Sequence, residues 1–288
     1  MLAWLAYLTV AVVWGSTYFA IAISVQAFTP YGLVAARFTL AAGLALGLGR
    51  LRREPWPPWK EVGHLALVGA LLLGCSNALV SYAELHLSSG LAAVLAALVP
   101  LWLALFSMGR EPLGPKGWAG LLLGLAGVAV LVWPEGTVRV HPGALVAMLL
   151  APMIWSWGTL HGKRFVHSHG LLTNVGLQMA TAALIGWAVA PLFGGYLRGP
   201  VHAGSVLAVL YLAVFGSVLT FSAYIYLART WAPAKMGTYA YLNPLVAVLL
   251  GTLVLKEPFG TRELTGMLII LAAVALVQLR PRPRIPAS

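Results

Sequence analysis

Residues 82–100 read YAELHLSSGLAAVLAALVP, and residues 226–244 read YLARTWAPAKMGTYAYLNP. The two stretches have the same length, open on Tyr82 and Tyr226, and close on Pro100 and Pro244. Each runs on through an apolar stretch to a Glu-Pro pair, Glu111-Pro112 in the first case and Glu257-Pro258 in the second. Gly120 and Gly266 then stand at equal distances beyond the two glutamates. Trp14-Gly15-Ser16 is echoed in the same way by Trp157-Gly158-Thr159. The chain therefore reads as a duplication, and a repeat of this kind governs any reading of the fold.

The surroundings of the repeat identify its solvent. Of the 288 residues, 60% are hydrophobic and 9% charged, against roughly 45–50% and 25% in a soluble domain. The apolar residues come in blocks of the length that crosses a hydrocarbon core of about 30 Å at 1.5 Å per residue. Charged residues, Pro and Gly divide them into spans at 3–25, 31–49, 62–83, 87–108, 115–133, 143–161, 171–193, 204–227, 234–255 and 262–280. The first block has no basic leader and is too long for a signal-peptide core, so it reads as a spanning helix. The longest connection, Arg50 to Glu61, is too small to be a domain.

These spans predict an all-α integral membrane protein of ten transmembrane helices, arranged as two five-helix repeats at residues 1–136 and 137–288. An odd number of spans per half makes the second copy enter the membrane from the opposite side. Inverted-topology repeats are typical of secondary transporters, whose solute site lies near the midplane where the halves meet. A duplication that only enlarged a bundle is the alternative.

Charge gives orientation. With the N-terminus inside, the inside connections hold Arg50, Arg52, Arg53, Lys60, Arg110, Lys116, Lys163, Arg164, Arg229, Lys235, Arg280, Arg282 and Arg284. The outside connections hold only Arg139, Arg198, Lys256 and Arg262. Positive residues concentrate on the cytoplasmic side, so both termini are expected in the cytoplasm. The formal charge of +11 is thereby assigned to topology, with no basic tract suited to nucleic acid. The lone Cys75 excludes an intrachain disulfide and a cysteine metal site.

The chain resembles the drug/metabolite transporter superfamily, in particular the ten-helix EamA type that includes YddG-like amino acid exporters. The resemblance rests on Trp14-Gly15-Ser16 followed by Pro30 and Ala36-Arg37-Phe38, on the Ala/Gly-rich fourth and ninth spans with their prolines, and on the two Glu-Pro loops. It covers nearly the whole chain. It implies a carrier of amino acids or similar small metabolites, usually outward across the inner membrane, with the bilayer as its other partner. It also implies that the first, third, fourth, sixth, eighth and ninth helices surround the pathway, while the second, fifth, seventh and tenth lie outside.

Polar groups in lipid cost free energy unless they face protein or water. Asn77, Ser81 and Glu84 share one face of the third span, as do Ser217, Thr220 and Tyr224 in the eighth and Lys235, Tyr239 and Asn243 in the ninth. Trp14, Thr17 and Tyr18 in the first span and Trp155, Ser156 and Thr159 in the sixth look equivalent, and Trp14, Trp102 and Trp155 lie too deep for interfacial anchors. These residues are the candidates for a solute pathway, with interhelical hydrogen bonding and packing as the competing uses. Trp4, Trp56 and Trp59 read as interfacial anchors.

Arg37 is the only basic residue well inside a span. It is expected to snorkel or to bond helix-end carbonyls, although pairing with a solute carboxylate is open to it. His64 and His161 read as solvated or capping groups, and His167 with His169 lacks a third ligand, so no metal is expected. No Asp lies in a span and no Glu near a midplane, which removes the common membrane-embedded proton carrier. Gly117, Gly120, Gly124 and Gly127 predict close packing of the fifth span against the tenth. A monomer is expected ahead of a dimer.

Pro100 and Pro244 each remove an i→i−4 bond and are expected to act as hinges. An intramembrane enzyme is the competing function, but the deep residues supply no nucleophile with a base or carboxylate cluster. No cofactor is expected. An amino acid is the expected solute, because aromatic and amide groups suit a small zwitterion with an apolar side chain.

Overall fold

The computed structural model of the chain describes residues 1–87, 89–131, 141–167, 170–255 and 260–278. Glu257-Pro258, His169 and the Gly136 region lie outside the described residues. In chain order the helices are α1 (Leu2–Ser24), α2 (Pro30–Leu51), α3 (Trp59–Ala83), α4 (Ser89–Ala96), α5 (Val99–Ser107) and α6 (Pro115–Leu131). They continue with α7 (Pro142–Phe165), α8 (Leu171–Phe193), α9 (Ala203–Thr230), α10 (Pro233–Gly237), α11 (Tyr239–Leu255) and α12 (Thr261–Gln278). Among the described residues no strand forms, and one isolated antiparallel bridge pairs Phe28 with Leu197.

Helix ends follow local chemistry. Thr29 caps α2 by accepting from Gly32 N at 3.0 Å, and Pro30 opens the helix, where its missing N–H leaves no bond unmade. His202 and Ser205 cap the start of α9 reciprocally. Arg50, Lys163, Arg164 and Arg229 occupy last turns of α2, α7 and α9, where cations complement the helix dipole. Gly194 and Gly195 turn the chain after α8 with φ of 90° and 82°, a conformation that side chains with a Cβ resist. That turn is held against the α1–α2 connection by Thr29 N donating to Tyr196 O at 3.1 Å and Arg198 N to Ala27 O at 2.9 Å.

Six helices, α1, α2, α3, α7, α8 and α9, are long and apolar enough to cross a membrane. The chain is a multi-pass, all-helical membrane protein. Two spans read as continuous from the sequence are interrupted. The fourth divides at Ala97-Leu98, just ahead of Pro100, which sits in the first turn of α5. The ninth divides at Thr238, while α11 runs through Pro244. Proline fits the first turn of a helix, where its missing N–H would lack an intrahelical partner anyway, so Pro100 stands at the start of a new helix instead of bending an old one.

Two helix pairs flank the bundle, α2 along α8 and α6 along α12. In the second pair glycine sets the distance. A Cβ at Gly120 would stand 2.7 Å from Val277 Cγ2, and one at Gly127 2.8 Å from Ile269 Cγ2. The expected contact between the fifth and tenth spans is present at both.

Candidate functional site

Between α1, α2, α3, α4, α5, α7, α9 and α11 lies a cavity accessible to the centre of a water-sized sphere over about 100 Å³. A single water needs roughly 10–15 Å³ by that measure, so the space suits a small organic solute. Trp14, Thr17, Tyr18, Asn77, Trp155, Ser217, Tyr239 and Asn243 all line it, as the sequence reading expected of pathway residues. No Asp or Glu belongs to the lining.

One wall is aromatic. Trp14 meets Trp155 edge to face at 5.2 Å between ring centroids, and also packs on Tyr224 and Tyr239 at 5.0 and 5.2 Å. Polar tips fix these rings: Trp14 Nε1 donates to Gly216 O at 2.9 Å, and Trp155 Nε1 to the Tyr224 hydroxyl at 2.8 Å. Thr159 Oγ1 lies 2.6 Å from that same hydroxyl. Beyond Trp155, toward the C-terminal end of α7, is a second, smaller cavity lined by Thr159, Lys163, Asn174, Gln178, Tyr224 and Arg229.

Two irregular helices build a further part of the lining. Gly69–Ser76 in α3 and Leu212–Leu219 in α9 are π-helical, a form found often at functional sites. The residue after each π segment returns a side-chain bond five residues back: Asn77 Nδ2 donates to Leu72 O at 2.9 Å, and Thr220 Oγ1 to Phe215 O at 2.7 Å. Asn77 then presents its oxygen to the bundle interior.

Arg37 fills that interior. It is only 6% exposed, and it neither snorkels nor caps a helix end. Its Nε donates to Ser217 Oγ at 2.8 Å and its Nη1 to Asn77 Oδ1 at 3.1 Å, so it links α3 to α9. Burial of a charge requires partners, and the two π segments deliver them. The second helix thus contributes Arg37 and Phe38 to the cavity, contrary to its expected place outside the pathway.

The other candidates lie elsewhere. Thr159 and Tyr224 line the second cavity. Ser156 Oγ donates to Val99 O at 3.2 Å, Thr220 bonds its own helix, and Ser81 is buried outside the lining. Trp102 stacks on Phe106 at 5.4 Å and does not reach the cavity. Trp157, in the second Trp-Gly pair, is 47% exposed and stacks on His161, so it is Trp155 that joins Trp14 in lining the cavity. His64 and His161 bond each other at 3.0 Å instead of standing free. Phe221, Ser76, Gly216 and Pro152 line the cavity without having been singled out from the sequence.

At the end of the bundle bearing the α1 N-terminus, contacts join segments distant in sequence. Lys163 pairs with Glu111 at 2.7 Å, and the Tyr7 hydroxyl lies 2.8 Å from Thr238 Oγ1. Lys235 Nζ sits over the rings of Trp231 and Trp4 at 4.4 and 5.3 Å.

A membrane-embedded bundle with an acid-free cavity between its helices is the architecture of a solute carrier. The chain belongs to the EamA-like transporter family, whose model matches residues 1–133 and 142–279. It is 35% identical over 273 residues to the uncharacterized inner membrane transporter YedA of Escherichia coli strain K12, covering 93% of this chain and 88% of that protein. It is also 30% identical to Protein PecM of Dickeya dadantii strain 3937, over 92% of this chain and 89% of PecM. One crystal structure superposes over 96% of both chains with a TM-score of 0.75 at 24% identity, a likeness of fold.

Proposed function

We propose that this transporter moves a small amino acid or closely similar metabolite outward across the inner membrane by alternating access. Two inverted five-span repeats, residues 1–136 and 137–288, hold the solute between them, with both termini cytoplasmic. The observation that supports this reading is the cavity itself, lined by α1, α2, α3, α4 and α5 from the first repeat together with α7, α9 and α11 from the second. The paired π segments of α3 and α9, with Asn77 and Thr220 at matching places, support the internal duplication.

Trp14, Trp155, Tyr224 and Tyr239 form the inner gate, and Lys163–Glu111 with the Tyr7–Thr238 contact closes the cytoplasmic end behind it. Pro100 and Pro244 are the hinges. The positive-charge distribution supports the orientation. Family membership and the lack of any acid in the cavity lining weigh against an intramembrane enzyme.

Flux of radiolabelled neutral amino acids in proteoliposomes tests the proposal. Saturable, counterflow-stimulated movement is expected. Release of a chemically altered product instead of the intact solute would favour the enzyme.

A further inference from the structure

The guanidinium of Arg37 is buried and carries no carboxylate partner. Among the described residues the ion pair formed is Lys163–Glu111, far along α7 from the cavity. Arginine has five N–H donors, and the bonds to Ser217 and Asn77 use one on Nε and one on Nη1. Nη2 takes no part in either bond, and Arg37 lines the cavity. Glu84, a buried acid just after α3, does not line the cavity.

A cavity with one fixed positive charge and no negative one selects against cations and for anions. Guanidinium binds a planar carboxylate through parallel N–H···O bonds. A single charge among mostly apolar walls matches one carboxylate on an apolar body better than a phosphate or a dicarboxylate. The π faces of Trp14, Trp155 and Tyr239 in the same lining can hold an ammonium group without an acid.

We infer that Arg37 is the carboxylate-binding residue of the cavity, and that the solute class is small monocarboxylates with apolar or aromatic bodies, zwitterionic α-amino acids among them. This rests on the carrier reading above. Asn77 and Ser217 position the guanidinium and, as neutral partners, leave its charge available to the solute.

The experiment compares acids with their amides. Binding of leucine and phenylalanine, and of leucinamide and phenylalaninamide, is measured by calorimetry and thermal shift on the purified full chain. Uptake of the two radiolabelled acids is measured in proteoliposomes. Wild type should bind at least one acid about tenfold or more tightly than its amide, the worth of one charge-assisted bond. Arg37→Gln should bring the acid-to-amide ratio to near one.

Asn77→Asp is the second variant, nearly isosteric, and it sets a carboxylate on Arg37. It should lower the same ratio while the protein melts no earlier than wild type. An unchanged ratio in both variants, or a wild type that favours the amides, overturns the role of Arg37 and leaves the carrier reading standing if the acids still move. A wild type that neither binds nor moves any of the four probes overturns the amino acid reading and this inference together.

Discussion

The Tyr224 hydroxyl accepts from Trp155 Nε1 at 2.8 Å and lies 2.6 Å from Thr159 Oγ1, although Tyr224 stands on α9 and the other two on α7. The bond sits at the boundary between the large cavity and the smaller one beyond it. Tyr224→Phe keeps the ring and removes the acceptor, so the buried indole N–H loses its partner. The expected cost is about 1–3 kcal/mol in the closed arrangement. Thermal unfolding in detergent should show a lower melting point. A cysteine at Thr17 should react faster with a reagent supplied from the α1 N-terminal side. Unchanged reactivity would remove the gate role from this bond.

Topology follows from charge. With Cys75 replaced, single cysteines near Arg52 and His167 should label only from the cytoplasm, and those near Gly136 and Arg198 only from outside. Labelling of both sets from one face contradicts an inverted repeat.

The two prolines sit in unequal surroundings, Pro100 at a helix start and Pro244 within a helix. Pro100→Ala should join α4 to α5 and slow flux more than Pro244→Ala, because it removes an existing break. Solute binding should be preserved in both. Flux at the wild-type rate in both variants, with unchanged accessibility from each side, shows that neither is a hinge.

Glu84 is 8% exposed, and neither carboxylate oxygen has a hydrogen-bond partner among the described residues. It follows α3 and does not line the cavity. An imposed pH gradient alone should therefore drive little accumulation, and Glu84→Gln should transport at close to the wild-type rate. Strong proton-driven uptake that disappears in Glu84→Gln would contradict this, and would make the isolated carboxyl the coupling group.

Much of this arrangement was legible in the residues. The six long spans follow from apolar length, and the proposed duplication rests on the matched tyrosines, prolines and glycines. Trp14, Trp155, Tyr239 and Asn243 were recognisable because aromatic and amide groups at mid-span depth need something other than lipid beside them. The stripes on the third and eighth spans were only partly right. Facing was assigned with a regular 3.6-residue period, and the π segments break that period just before Asn77 and within reach of Ser217. Arg37 was misplaced for a different reason: a resemblance assigned its helix to the outside. The partners of Arg37 lie on helices distant in sequence, and no spacing rule connects them.

A π turn holds one residue more between hydrogen-bonded partners than an α turn. Residue count is therefore itself a recognition element here. The wider turn absorbs that residue, so losing one residue from Gly69–Ser76 would wind the stretch into a regular helix and change the face that its own residues present, Ser76 of the cavity lining among them. The same loss within Leu212–Leu219 would re-aim Gly216 and Ser217, which meet Trp14 and Arg37. A relative that aligns with a one-residue gap in either stretch is thus expected to accept a different solute, even where every residue that touches the cavity is the same.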